Sequence, residues 1–224
     1  MLEAVVFDLD GTLVDTPAAI GATLVEVLAG EGFTVDHAAV AATIGKPLVP
    51  SVAGLLELAA DDQAVRTVVT RYQRLFDERV LGRGTELLYA GVADGLAALR
   101  GSGLSCAIAT SKDLRVATAL LGSSGIAAHF PVVITHDQVA QGKPHPEMGL
   151  CAAADLGVDA GACAYVGDAV GDMEMAVAAG MTPIGVAYGV ASAAELTEHG
   201  AVQVCADFAE VVKAVSALAG RRTN

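Results

Sequence analysis

Asp8 and Asp10 stand one residue apart at the end of the apolar run Ala4-Val-Val-Phe7. Alternate side chains of an extended segment share a face, so both carboxylates point the same way. Two carboxylates so placed are costly to bury unless something cationic neutralises them. Asp168, which closes the apolar run Cys163-Ala-Tyr-Val166, supplies a third acidic group. The three make a hard, oxygen-rich set suited to Mg²⁺, which binds through one or two carboxylates plus phosphate oxygens. With that metal held, a carboxylate can attack a phosphoryl group to form an aspartyl-phosphate, which splits one difficult displacement into two easier ones.

Other residues supply the rest of such a site. Gly11 lets the backbone turn close to a ligand, and Thr12 is suited to holding that loop. Thr110 and the backbone N–H of Ser111 can hydrogen-bond the equatorial phosphoryl oxygens. Lys143, in Gly142-Lys-Pro144, can supply a fixed positive charge where positioning and electrostatics do most of the catalysis. Each piece alone has a plainer reading: the Asp pair as a turn or cap, Thr110 as a helix N-cap, Lys143 as a solvated loop lysine. Their occurrence in chain order, with Asp8, Thr110 and Asp168 each at the end of an apolar run, favours the chemical reading.

Short apolar runs recur at Ala4–Phe7, Ser105–Ala109, Val132–Ile134, Cys163–Val166, Ile184–Ala187 and Val202–Cys205. Near-continuous apolar runs of this length suit strands buried on both faces. Most are separated by helical patterns at Val92–Arg100, Leu114–Leu121, Pro146–Leu156, Asp172–Ala179 and Phe208–Leu218. Such alternation predicts an α/β fold with a parallel sheet flanked by helices. Open parallel sheets bind ligands at the carboxyl ends of their strands, where Asp8, Thr110 and Asp168 fall. Pro17 to Leu87 departs from the alternation. Ala18–Ala29, Ala38–Thr43, Leu48–Ala59 and Gln63–Glu78 carry helical spacing with no convincing strand, which predicts an inserted all-helical module over residues 16–87 and a core of residues 1–15 and 88–224.

The 224 residues include 54% of hydrophobic types and 17% charged, which excludes intrinsic disorder. Thirteen Lys and Arg against 26 Asp and Glu leave a net charge of −13, the wrong sign for a nucleic-acid partner. A small anionic substrate fits only if a metal or a few cations reverse the field inside one pocket. Cys106, Cys151, Cys163 and Cys205 form no C-x-x-C pair and read as reduced cysteines. No apolar stretch approaches a membrane span, and the N-terminus lacks a basic region, so the expected location is cytoplasmic.

Phe7-Asp8-Leu-Asp10-Gly-Thr-Leu-Val14 resembles the first motif of the haloacid dehalogenase-like (HAD) hydrolases. Thr110 matches the second motif, Lys143 the third and Gly167-Asp168-x-x-x-Asp172 the fourth. The resemblance covers essentially the whole chain. It implies a Rossmann-like core with a helical cap inserted after the first motif, as in phosphoglycolate phosphatases. It further implies Asp8 as nucleophile and Asp10 as general acid and then base. The Mg²⁺ ligands would be the Asp8 side chain, the Asp10 carbonyl and Asp168, with Asp172 orienting Lys143 or a water on the metal. An acid at position 10 is absent from the family's dehalogenases and phosphonoacetaldehyde hydrolases and so favours phosphoester cleavage. A β-phosphoglucomutase-like phosphosugar mutase, which usually carries an adjacent Glu-Asp pair in the fourth motif, is the alternative. A noncatalytic phosphometabolite-binding protein is another, although no motif position is eroded.

Within the predicted cap, Gly45-Lys46-Pro47 sits where related enzymes carry a specificity loop, and Lys46 is a candidate for the leaving group. It reads equally as a solvated lysine. Arg71, Tyr72 and Arg74 read as a solvent face, Thr16 as the N-cap of the helix beginning at Pro17, and Lys112 as structural or pairing. His136 and His145 flank the Lys143 loop without metal-ligand spacing, and Met173 and Met175 read as packing residues. The expected substrate is a small phosphorylated metabolite: phosphoglycolate, a sugar phosphate, a nucleotide, pyrophosphate or a biosynthetic intermediate. The expected state is monomer or homodimer.

Overall fold

The computed structural model describes residues 1–220; the last four positions of the expected core lie outside them. Six strands, β1 (Ala4–Phe7), β2 (Ser105–Thr110), β3 (Val132–Thr135), β4 (Cys163–Gly167), β5 (Thr182–Val186) and β6 (Gln203–Cys205), form one parallel sheet in the order β3-β2-β1-β4-β5-β6. Side chains alternate across a strand, so the sheet presents two apolar faces. Val5, Phe7, Ile108 and Val166 pack on one, and Val6, Ala107, Ala109 and Tyr165 on the other.

Helices cover both faces, as a parallel sheet requires. The first face receives α5 (Val92–Gly101), α6 (Leu114–Ser123) and α10 (Phe208–Ala219) through residues such as Leu96, Leu120 and Val211. Phe7 anchors it, with ring centroids 6.1 Å from Phe130 and 6.0 Å from Phe208. The second face receives α7 (Glu147–Leu156) and α8 (Val170–Ala178) through Met148, Ala152 and Met175. Asp113 and Asp207 start α6 and α10 by accepting backbone N–H bonds from Val116 at 2.9 Å and Glu210 at 2.8 Å.

The chain order reverses at β1, which lies between β2 and β4 with Val5 opposite both Cys106 and Ala164. Connections then leave in opposite directions, and a crevice opens at the carboxyl ends of β1 and β4. Between β1 and α5 lie four helices, α1 (Pro17–Gly30), α2 (His37–Ala41), α3 (Leu48–Leu56) and α4 (Gln63–Arg79), then a 3-10 stretch at Leu81–Leu87. The outgoing and returning chains run side by side, tied by Asp15 N–H to the Leu87 carbonyl at 2.7 Å and Tyr89 N–H to the Leu13 carbonyl at 3.1 Å.

Most sequence-based elements match these to within one or two residues at each end, and three differences have a physical reason. β5 begins at Thr182 rather than Ile184 and takes in Pro183, which strands tolerate near their first residue. α3 stops at Leu56 rather than Ala59, because Glu57 turns left-handed at φ 55°. A further helix, α9 (Ala193–Glu198), follows β5; it is capped by Ser192, whose Oγ accepts from Glu195 N–H, but six residues are too few for periodicity to reveal.

Candidate active site

The carboxylates of Asp8, Asp10, Asp168 and Asp172 are all buried, and all lie at the crevice end of the sheet. Asp8 follows β1 and Asp168 follows β4, so the parallel pairing of those strands sets them side by side. Oxygens of Asp8, Asp168 and Asp172 come within 4.8 Å of one another. One ammonium reaches this group: Lys143 Nζ lies 2.8 Å from Asp8 Oδ1 and 2.7 Å from Asp172 Oδ1.

One buried ammonium cannot balance three buried carboxylates. Burial, partly offset by Lys143 and reinforced by Asp172 and Asp10, pushes the Asp8 carboxyl up to about 6. Burial, with Asp172 and Asp8 adding to it, holds Asp168 well above the usual carboxylate range. For Lys143, burial acts to discharge the amine, but Asp172 and Asp8 outweigh it and hold the ammonium above its ordinary value. The remaining excess of negative charge is what a hard divalent cation would neutralise, and oxygen donors are the set that Mg²⁺ takes.

The surrounding backbone is built to hold these acids. Asp168 accepts from Thr12 Oγ1 at 2.9 Å and from Val190 N–H at 2.8 Å. Gly11, at φ 76°, passes so close that a Cβ there would lie 2.1 Å from Asp168 Oδ2, and one on Gly189 would lie 2.3 Å away. Asp172 Oδ2 accepts from the Asp168 and Ala169 N–H groups at 3.1 and 3.0 Å, and Tyr165 donates to the Ala109 carbonyl at 2.8 Å while its oxygen lies 3.2 Å from Asp172 Oδ1.

Asp10 behaves differently from the other three. Its carboxylate meets Lys112 Nζ, on the loop between β2 and α6, at 3.0 Å and accepts from Thr16 Oγ1. The sequence-based reading of Thr16 as a side-chain cap is thereby corrected: it occupies the N-cap position of α1, but its hydroxyl makes no capping bond because Asp10 takes it. Lys112 has the pairing role, and its ammonium also sits 4.5 Å from the ring centre of Phe76 on α4.

Thr110 ends β2 fully buried, with Ser111 beside it, and both border a cavity of about 280 Å³ whose floor includes Asp8 and Asp10. α1, α3 and α4 form its walls. Lys46 lies on its lining and is exposed, and the loop that carries it approaches the core, since a Cβ on Gly45 would sit 3.6 Å from that of Ala169. Tyr72 is not on a solvent face: it is 7% exposed, stacks on Phe76 at 5.6 Å and lines the cavity, whereas Arg71 and Arg74 are exposed and pair with Glu31 and Glu78. His136 also lines the cavity, while His145 is part-exposed near Glu147. Met173 and Met175 are buried.

Several contributors escaped the sequence reading. Tyr165 had a signal, since a tyrosine in a doubly buried strand needs a partner for its hydroxyl. Gly189 and Val190 had none, because their closeness to Asp168 depends on the loop after β5.

Among the described residues no helix is long and apolar enough to cross a membrane. The chain is 42% identical over 219 residues to a protein of Dickeya dadantii named probable phosphatase IndB, covering 97% of this chain and 95% of that one. It is 34% identical over 215 residues to phosphoglycolate phosphatase of Salmonella paratyphi A, covering 84% and 82%. The fold superposes on the crystal structure of a hydrolase from Pseudomonas syringae with a TM-score of 0.84 at 25% identity, covering 96% and 99%. A model of the haloacid dehalogenase-like hydrolases matches residues 5–186, a span that takes in every buried carboxylate described above, and the chain belongs to that family.

Proposed function

We propose that the protein is a Mg²⁺-dependent phosphatase that hydrolyses a small-molecule phosphate monoester through an aspartyl-phosphate on Asp8. The observation that carries this reading is the buried set Asp8, Asp168 and Asp172 around a single ammonium, with Asp10 held apart on a different set of partners. The names of the relatives, a phosphatase and a phosphoglycolate phosphatase, support it.

Asp8, Asp168 and the Asp10 carbonyl would hold Mg²⁺, which would neutralise the phosphoryl oxygens and the carboxylates together. Lys143 keeps Asp8 ionised and aimed. An Asp8 oxygen attacks phosphorus, the bond to the ester oxygen breaks, and Asp10 gives its proton to the departing oxygen. Thr110 and the Ser111 N–H hold the equatorial oxygens as charge develops, with the loop of Gly11 and Thr12 around them. Asp10 then accepts a proton from a water that attacks the aspartyl-phosphate, releasing phosphate and restoring Asp8. Asp172 positions Lys143. Residues 16–87 serve as a cap that shields the ester from bulk water.

The test is release of inorganic phosphate from a panel of phosphate monoesters. Turnover should require a divalent cation and fall by about three orders of magnitude or more in Asp8→Asn; an active Asp8→Asn would exclude the covalent route. Isomerisation of a hexose phosphate primed by its bisphosphate, without net phosphate release, would instead identify a mutase.

A further inference from the structure

The cavity above Asp8 and Asp10 says more than that a phosphoryl group sits on its floor. Its walls are apolar: Ile20 and Leu24 from α1, Leu48 and Val49 from α3, Phe76 from α4 and Val116 from α6. The polar groups among them are mostly committed elsewhere. Thr43 and Ser51 donate back to the carbonyls of Val40 and Pro47, both at 2.7 Å. Asp77 is bound to Arg115 at 2.7 Å, and Lys112 to Asp10. The side chains of Gln73, half-buried, and Lys46, exposed, make no hydrogen bond or ion pair among the described residues, and His136 Nδ1 is buried without a partner. The volume of about 280 Å³ is nearly twice that of an apolar cavity known to take benzene, roughly 150 Å³.

We infer that the preferred substrate is the phosphate monoester of a largely apolar, ring-sized alcohol, its body against Ile20, Leu48 and Val49 and any polar edge turned to Gln73. This rests on the proposed phosphatase activity and narrows it. A short carboxylate-bearing leaving group such as that of phosphoglycolate would leave most of this surface uncovered and meet one exposed cation, Lys46. A second phosphate would meet Asp77, Asp113 and Asp137 as well. Apolar walls contribute affinity in proportion to the ligand area they cover, so the cavity favours bulk without charge.

The experiment measures kcat/KM for ethyl, propyl, butyl and benzyl phosphate and phosphoglycolate, with acetyl phosphate reporting the chemistry of Asp8 on a small leaving group. The expected result is a rise of about fourfold per methylene, with benzyl phosphate exceeding phosphoglycolate by about fiftyfold or more. In Leu48→Asn the slope should fall to about twofold per methylene; an equal loss on every ester would mark Leu48 as structural only and count against the assignment. A flat series, or preference for phosphoglycolate, with acetyl phosphate still turned over would overturn the inference and leave the phosphatase reading standing. No turnover of any compound, acetyl phosphate included, would overturn both.

Discussion

At the scale of single residues the site is an exercise in unbalanced charge. Lys143 is the one ammonium among Asp8, Asp168 and Asp172, and it touches two of them. Removing one partner of a buried, hydrogen-bonded ion pair leaves the other charge uncompensated, at a cost of about 3–5 kcal/mol. Lys143→Met should therefore lower unfolding free energy by about that amount near neutral pH, read by urea denaturation. Adding Asp172→Asn should recover part of the loss, because the two carboxylates facing the methionine become one. Strict additivity of the two substitutions would show that the pair is not coupled. Asp8 and Asp10 were legible through their company: alone the pair reads as a turn or cap, but Thr110, Lys143 and Asp168 follow in chain order, with Thr110 and Asp168 also closing apolar runs. Tyr72 was not: its neighbours Arg71 and Arg74 are exposed, and position on a helix face depends on where the helix packs.

At the scale of elements, two short segments carry the geometry: the turn after β1 and the loops that end β4 and β5. Gly11 and Gly32 make the point by contrast. Both have positive φ, 76° and 84°, so alanine at either strains the backbone by about 1 kcal/mol. At Gly32 a Cβ meets nothing within 4 Å, whereas at Gly11 it would overlap the Asp168 carboxylate. Gly32→Ala should thus cost only stability, while Gly11→Ala should also displace Asp168 and abolish phosphate release and any stabilisation by added Mg²⁺. Comparable activities in the two variants at matched folded fraction would refute the role given to the close approach. The strands were readable because a parallel sheet covered on both faces makes its central strands near-continuously apolar, as in Ala4–Phe7. The walls of the cavity were not, since Leu48 and Val116 meet only after α3 and α6 are placed around the insertion.

At the scale of the molecule, the charge of −13 and the raised carboxyls act in the same direction. An Asp whose folded value exceeds its unfolded one binds more protons in the native state, so stability falls as pH rises between the two values. For Asp8 that interval runs from 3.8 to about 6, and Asp168, raised by burial and by Asp172 and Asp8, adds a decline of the same sign. Without divalent cations the melting temperature should decline as pH is raised from about 5 to about 7. General repulsion among surface acids gives a decline of the same sign, but added salt screens that part and reaches the buried set much less. On the proposed assignment Mg²⁺ would bind the folded state alone and compete with protons for Asp8 and Asp168, so the rise in melting temperature it causes should be larger at about pH 7 than at about pH 5. Asp168→Asn should lose most of that rise while keeping the salt-sensitive decline. An Mg²⁺ effect of equal size at both pH values, or one that survives Asp168→Asn, would place the cation on the acidic surface instead of between β1 and β4.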